Sequence, residues 1–265
     1  MNQQTLILDL DDTLIHCNKY FKESRNKFAF VMRKWFKKIS KEELMRKKTE
    51  IDSKNVEEHG LHSLNYTVSL VETYLYFCKK YKKKFDDKKI EQIRQIGQSV
   101  FERDVEPFPY TFEVLRELQR DGHRLCLFTG GDAANQLRKI YQLNLEPFFT
   151  DGVFIFEKKD KNALKKVLQR LKAVKKSTWM IGNSLRSDIK PAIEMGINAI
   201  HIPSEIEWSY NVIDVDIEPC GTFAELPSLQ ELPAYLREHC FHFGSRESSH
   251  ASQFLNNFST YVNGK

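Results

Sequence analysis

The chain has 265 residues, of which 41% are hydrophobic and 29% charged, and its formal net charge is +5. This composition is typical of a globular protein, and without an apolar run near about 18 residues it predicts no membrane span. The N-terminus lacks the basic and then apolar order of a signal peptide. The five cysteines form no CxxC pair that would indicate a disulfide framework or a zinc site, so we expect a cytoplasmic protein.

The first predicted element is a short buried strand that ends in carboxylates. The apolar run Leu6-Ile7-Leu8 precedes Asp9, Asp11 and Asp12. In open α/β sheets the chemistry lies beyond the carboxyl ends of the strands. Like charges packed this closely are costly without a cation or a shared proton, so the cluster indicates a magnesium site. The alternative is an Asx-rich turn, with Thr13 capping the helix that follows.

Residues 18–104 predict an all-helical insertion. Apolar side chains recur at three- and four-residue spacing over 28–39, 64–77 and 90–100. In the second of these segments, the predicted buried face consists of the aromatic residues together with Leu64, Val68, Val71 and Leu75. The insertion has 22 Lys and Arg against 13 Asp and Glu, a net charge of +9, and the rest of the chain carries −4. We interpret this excess as solvated helix faces, with attraction for an anionic ligand or nucleic acid as the alternative.

Strands and helices alternate along the remainder of the chain. The predicted elements are a helix at 111–119, strands at 124–128 and 152–156, helices at 135–142 and 162–171, strands at 178–181 and 199–202, and a helix at 229–239. This alternation predicts an α/β fold with a Rossmann-like parallel sheet and helices on both faces. The polar residues 241–265 are expected to form a mobile tail.

Four motifs follow predicted strands in a fixed order. They are Asp9-Leu10-Asp11-Asp12-Thr13, the strand Leu125 to Thr129, a lysine within Glu157 to Lys161, and Gly182-Asn183 followed by Asp188. Together, over roughly residues 5–205, they resemble the haloacid dehalogenase superfamily, and in particular its phosphatases with a helical cap between the first and second motifs. Dehalogenase members lack an acid at the position of Asp11, because halide needs no proton to leave, so its presence here favours phosphoryl chemistry.

The resemblance implies a role for each motif. Asp9 would be the nucleophile that forms an aspartyl-phosphate, and Asp11 would be the acid and base for the leaving alcohol and the attacking water. Anionic neighbours are expected to raise the pKa of Asp11. The phosphate would be bound by Thr13, Thr129, Gly130 and Lys159. Magnesium would be bound by Asp9, Asp11, Asn183 and Asp188.

At two positions the match to the family pattern leaves the role of a residue undecided. The spacing to Leu164 favours Lys159 as the active-site lysine, with Lys158 as the alternative. Asn183 stands where many members have aspartate, so the metal site loses one negative charge unless Asp188 compensates. A turn with Gly182 is the alternative role for Asn183.

The resemblance implies a magnesium-dependent phosphatase that acts on a small phosphorylated metabolite. Residues 1–17 and 105–240 would form its catalytic core domain, and 18–104 a mobile cap domain that closes over the site and selects the leaving group. The mouth of the site would be lined by His16, Asn18, Tyr20 and Phe21. A phosphomutase and a non-catalytic regulatory protein are the alternatives. Neither a nucleic acid nor a membrane is expected as a partner, and the chain is expected to be a monomer or a cap-mediated dimer.

Overall fold

One strand precedes a four-helix insertion, and strands and helices alternate after it. The computed structural model describes residues 3–240, so the tail predicted at 241–265 lies outside the described residues. The strands are β1 (Thr5–Leu8), β2 (Arg124–Gly130), β3 (Val153–Phe156), β4 (Thr178–Gly182), β5 (Asn198–His201) and β6 (Phe223–Glu225). The helices are α1 (Asn18–Trp35), α2 (Lys41–His59), α3 (Ser63–Lys80), α4 (Asp87–Gln98), α5 (Thr111–Arg120), α6 (Ala133–Gln142), α7 (Lys161–Leu171), α8 (Lys190–Met195) and α9 (Leu232–Cys240). Among residues 3–240, no helix is both long and apolar enough to cross a membrane.

Six parallel strands form one sheet, in the order β3-β2-β1-β4-β5-β6. In the central strand β1, Leu6 lies opposite Leu125 of β2 and Trp179 of β4. The strand order reverses beside β1, which is where open α/β sheets bind their ligands. The predicted Rossmann-like sheet is confirmed. Strand β6 was missed because its three residues are too few to show a hydrophobic pattern.

Both faces of the sheet are covered by helices, as predicted. Successive β1 side chains point to opposite faces, so Leu6 and Leu8 join one core and Ile7 joins the other. Helices α5, α6 and α9 cover the first face, whereas α7 and α8 cover the second. Burial on both faces explains why the strands have continuous apolar runs rather than an alternating pattern.

The inserted helices α1 to α4 enclose a third core of their own. Phe28 and Met32 of α1, Leu44 of α2, Tyr74 of α3 and Ile93 of α4 are buried together. The predicted all-helical insertion is therefore confirmed, and so is the burial of Phe28 and Met32.

The predicted buried face of α3 is wrong for Leu64, Val68 and Leu75, whereas Val71 and the aromatic residues Tyr74 and Phe77 pack into the third core. Leu64 and Val68 are 60% and 46% exposed, and Leu75 is 38% exposed. The helix instead buries the face that carries Leu70 and Tyr74. Apolar residues surround this helix, so spacing alone did not identify the inner face. Hydroxyl groups on the inner face bond to their own helix, which removes the penalty for burying them: Ser69 Oγ donates to the Asn65 carbonyl and Thr73 Oγ1 to the Ser69 carbonyl.

Candidate active site

The four motifs meet at the carboxyl edge of the sheet. Asp9 follows β1, Thr129 lies at the end of β2, Lys159 follows β3, and Asn183 and Asp188 follow β4. Because these strands are parallel and adjacent, their carboxyl ends lie at the same edge. All five of these residues are buried, and all five line one cavity.

Lys159 joins two of the predicted carboxylates. Its Nζ lies 2.5 Å from Asp9 Oδ1 and 2.5 Å from Asp188 Oδ1. Burial raises the pKa of Asp9 to about 7, the Lys159 ammonium opposes this shift, and the Asp188 carboxylate adds to it. Burial by itself would lower the pKa of Lys159, but the two carboxylates outweigh it and the pKa is raised. Lys159 is therefore a buried cation at neutral pH.

The neighbouring lysine lies outside this cluster. Lys158 is exposed, and its Nζ donates to the Glu57 carbonyl of α2 at 3.1 Å. Lys161 lies on α7, with its Nζ 3.6 Å from Glu194. Of the lysines considered from the sequence, the structure brings Lys159 to Asp9.

Two threonines and a glycine surround Asp9 and the edge of β2. Thr13 Oγ1 donates to Asp9 Oδ2 at 3.0 Å, so in this structure Thr13 orients a carboxylate. Thr129 is completely buried beside the site. A Cβ on Gly130 would lie 2.7 Å from Leu61 Cδ1, so a larger residue there would have to displace the end of that side chain. Of the predicted phosphate-binding positions, Thr129, Gly130 and Lys159 line the cavity, whereas Thr13 does not line it and contacts Asp9 instead.

Asp11 has two partners that the sequence did not reveal. Lys139 Nζ lies 2.7 and 2.8 Å from its two carboxylate oxygens. Gln136 Nε2 donates to Asp11 Oδ2 at 2.9 Å and lies 2.5 Å from Thr129 Oγ1. Burial favours the neutral form of Asp11, but the Lys139 ammonium outweighs it, and the pKa of Asp11 is lowered. The expectation of a raised pKa was wrong, because a cation rather than an anion is the nearest charged group.

Asp12 supports the start of the helical insertion. It has a left-handed backbone, with φ of 60°. Its carboxylate accepts the backbone N–H groups of Cys17 and Asn18 at 3.0 and 2.9 Å. Burial raises the pKa of Asp12 to about 7. The third aspartate of the first motif therefore satisfies the free N–H groups at the start of α1.

Hydrogen bonds to its backbone groups hold the fourth motif in place. Asp188 Oδ2 accepts the Ser184 N–H at 2.9 Å, and a Cβ on Gly182 would lie 2.3 Å from the same oxygen. The Asn183 carbonyl lies 3.1 Å from His201 Nε2, and His201 Nδ1 lies 2.9 Å from Glu225 Oε2. A π-helical turn over Leu185–Ile189 then leads into α8.

The residues at this edge suit a magnesium ion. Over residues 3–240 no cluster of three or more His, Cys, Asp and Glu side chains could hold a metal. Magnesium, however, commonly binds one or two carboxylates, with water and phosphate oxygens completing its shell. Asp9 and Asp188 both approach Lys159 Nζ, so their carboxylates converge at one side of the cavity. With the amide of Asn183 lining the same cavity, this donor set fits the predicted ion.

The cavity lies between the sheet edge and helices of the insertion. Its volume is about 180 Å³, below the roughly 300–1,000 Å³ typical of drug-sized ligand sites. The four residues predicted at its mouth, His16, Asn18, Tyr20 and Phe21, all line it. The insertion also contributes residues that the sequence did not single out: Arg25, Lys48, Asp52, Asn65 and Tyr66. Helical periodicity places these residues on helices but does not tell which of them face the site.

Comparisons with known proteins agree with this geometry. The model of the haloacid dehalogenase-like hydrolase family matches residues 3–196. A glyceraldehyde 3-phosphate phosphatase of Methanocaldococcus jannaschii is 27% identical over 237 residues, which are 88% of this chain and 98% of that protein. A haloacid dehalogenase-like hydrolase structure from Xanthomonas campestris has a TM-score of 0.73 at 23% identity, covering 89% of this chain and 91% of its own. The magnesium-bound HAD-hydrolase YfnB of Bacillus subtilis has a TM-score of 0.58 at 20% identity, covering 89% and 99%.

Proposed function

The chain belongs to the haloacid dehalogenase-like hydrolase family, and on this basis we propose that it is a magnesium-dependent phosphatase of small phosphate monoesters. The observation that carries the proposal is the buried contact of Asp9 with Lys159. Lys159 also contacts Asp188. A carboxylate nucleophile beside a fixed cation, at the edge of the sheet and open to a cavity, is suited to phosphoryl transfer.

The reaction proceeds in two displacements. First, an Asp9 oxygen bonds to phosphorus while the bond from phosphorus to the alcohol oxygen breaks, and Asp11 gives that oxygen a proton. Water then attacks the phosphorus of the aspartyl-phosphate, gives a proton to Asp11, and releases phosphate and Asp9. Lys159 offsets negative charge on Asp9 and on the phosphoryl oxygens, and Thr129 donates a hydrogen bond to one of them.

Asp11 changes partners during this cycle. In the structure its carboxylate is held by Lys139 and Gln136. Both of these side chains are donors that a phosphate dianion also attracts. Binding of the substrate phosphate draws them away, and burial then favours the protonated form of Asp11 that the first displacement needs. Magnesium, when held by Asp9 and Asp188 with Asn183 beside them, supplies positive charge that keeps Asp9 ionised.

The insertion acts as the cap that selects the leaving group. It supplies one wall of the cavity. The two segments that join it to the sheet domain, near residues 16–20 and 104–108, are the expected hinges. The cavity volume of about 180 Å³ favours a short leaving group. Because a relative is a glyceraldehyde 3-phosphate phosphatase, that three-carbon ester is the first substrate that we would assay.

The test is release of inorganic phosphate from p-nitrophenyl phosphate and glyceraldehyde 3-phosphate, with and without magnesium. We expect turnover that requires magnesium and that Asp9→Asn abolishes. The matched control is Asp216→Asn, because Asp216 is exposed and lies outside the cavity. Isomerised ester without free phosphate would indicate a phosphomutase. Absence of both turnover and magnesium binding would indicate a regulatory protein and overturn the proposal.

A further inference from the structure

The cap wall of the cavity contains a cation without a partner. Arg25 of α1 is half-buried and lines the cavity. Among residues 3–240 its guanidinium has no hydrogen-bond or ion-pair partner. The other two arginines of the cavity differ in this respect: Arg103 pairs with Glu23 at 3.0 Å, and Arg138 donates to the Arg103 carbonyl at 3.1 Å. Arg25 is therefore available to a ligand.

A second group near Arg25 also lacks a partner. Tyr66 of α3 is only 6% exposed and lines the cavity, and its hydroxyl makes no hydrogen bond of normal geometry with the described residues. Ser24 lies beside it, but the Ser24 hydroxyl donates its own hydrogen to the Ile96 carbonyl. A buried hydroxyl without a partner is destabilising, so this position favours a ligand atom that accepts a hydrogen bond.

Two further charges next to Arg25 cancel each other. Lys48 and Asp52, one helical turn apart on α2, are buried and form an ion pair of 2.7 Å. Lys48 Nζ also lies 4.9 Å from the centre of the Tyr66 ring. We call Arg25, Lys48, Asp52 and Tyr66 the cap subsite. With one ion pair neutralised, the cap subsite keeps a single positive charge on Arg25.

We propose that the cap subsite binds a carboxylate on the leaving group, so that the preferred substrates are phosphate esters of short hydroxy acids. The planar fork of a guanidinium matches the two oxygens of a carboxylate, and the Tyr66 hydroxyl donates to one of them. An aldehyde or alcohol at this place would leave the guanidinium without its charged partner. The proposal rests on the proposed phosphatase function and names its substrate class.

The experiment compares three-carbon phosphate esters that differ at one carbon. The esters are 3-phosphoglycerate, with a carboxylate, glyceraldehyde 3-phosphate, with an aldehyde, and glycerol 3-phosphate, with an alcohol. For wild type we expect the highest kcat/KM with the carboxylate. For Arg25→Gln we expect the ratio of kcat/KM between carboxylate and aldehyde to fall by about 10- to 100-fold, mostly through KM.

Three further variants make the result specific. Arg25→Lys should restore part of the ratio, because it keeps the charge but not the fork. Tyr66→Phe should lower the ratio by a smaller factor, about 3- to 10-fold. Arg33→Gln is the matched control, since Arg33 is exposed on the same helix and lies outside the cavity, and it should leave the ratio unchanged. A ratio that is equal in wild type and Arg25→Gln overturns the proposal.

Calorimetry separates this proposal from the phosphatase proposal. If no ester is hydrolysed, the proposed function fails, but binding of 3-phosphoglycerate to Asp9→Asn still reports on the cap subsite. Adding Arg25→Gln to that variant should weaken binding by at least about tenfold, whereas binding of glycerol 3-phosphate should change less. Equal affinity for 3-phosphoglycerate with and without Arg25 contradicts the proposal.

Discussion

Lys159 holds together charges that would otherwise repel each other. Its ammonium lies between the carboxylates of Asp9 and Asp188, and all three side chains are buried. Two buried carboxylates that contact the same ammonium group cannot both stay ionised without a nearby cation. The adjacent Lys158 has the same chemistry but is exposed and reaches the Glu57 carbonyl instead. The two lysines are therefore a matched pair for mutation.

We predict that Lys159→Met lowers kcat/KM for phosphate release by about 10²- to 10³-fold, because a charge that stabilises the transition state is lost. Lys158→Met should change kcat/KM by less than about twofold, because surface contacts of this kind contribute little. Steady-state kinetics with p-nitrophenyl phosphate measure both values. Equal losses in the two variants would contradict the assignment of Lys159.

A second prediction concerns the pair of Asp11 and Lys139. The pKa of Asp11 is lowered in the folded state, so the pair stabilises the fold above the unfolded pKa of about 3.9 and this contribution is lost as pH falls through the folded value. In Lys139→Met, burial dominates and raises the pKa of Asp11. We therefore expect the free energy of unfolding to drop by about 3 kcal/mol near pH 7.5. The drop should be smaller near pH 5, where Asp11 takes up a proton.

Urea unfolding in EDTA at the two pH values measures this difference without interference from a metal. The double variant Asp11→Asn/Lys139→Met is the control, because it has no carboxylate at this position. Its loss of stability should not depend on pH. A loss that is equal at both pH values in Lys139→Met would show that Lys139 matters for packing rather than for charge.

At the scale of elements, the rotation of each helix explains what the sequence could and could not predict. Asp9, Thr129 and Asn183 follow buried strands, and parallel strands bring their carboxyl ends together, so the sequence was sufficient to expect these residues at one edge. Gln136 and Lys139 lie on a predicted helix, α6, three residues apart. Their contact with Asp11 depends on how α6 is rotated against the sheet, which depends on tertiary packing.

The wrong assignment on α3 provides a test within one helix. Leu70 is completely buried and Leu64 is 60% exposed. We predict that Leu70→Ala lowers the free energy of unfolding by about 2–5 kcal/mol, through lost burial and a residual cavity. Leu64→Ala makes the same change in side chain and in helix propensity but should stay within about 0.5 kcal/mol. Urea midpoints of the two variants measure the difference, and equal losses would mean that α3 is rotated differently.

At the scale of the whole molecule, the turn between α2 and α3 joins the helical insertion to the sheet. The Leu61 N–H donates to the Glu157 carbonyl at 2.8 Å, and the Ser63 N–H donates to Asp132 at 3.0 Å. Asp132 also accepts the Asn135 N–H at the start of α6. These contacts lie beside Lys159, so the position of the insertion and the geometry of the carboxyl edge of the sheet are coupled.

Gly60 lies in this turn at a place where a side chain would collide with Glu157, which follows β3. Its φ is 78°, and a Cβ would lie 2.9 Å from the Glu157 carbonyl oxygen. Gly122 has nearly the same φ, 80°, but a Cβ there would meet no atom within 4 Å. Alanine at either position carries the cost of a positive φ, of order 1 kcal/mol. The cost is larger at Gly60, because its ψ of −170° lies in a region that essentially only glycine adopts. Only Gly60→Ala should also displace the insertion from the carboxyl edge of the sheet.

We therefore predict that Gly60→Ala lowers kcat/KM by about tenfold or more, since small displacements of positioning groups have effects of this size. Gly122→Ala should keep the wild-type kcat/KM although it also loses stability. Urea unfolding and steady-state kinetics on both variants separate the two effects. If Gly122→Ala lost as much activity as Gly60→Ala, the loss would follow from stability alone. If neither variant lost activity, the contact of the insertion with the Glu157 segment would not be needed for turnover.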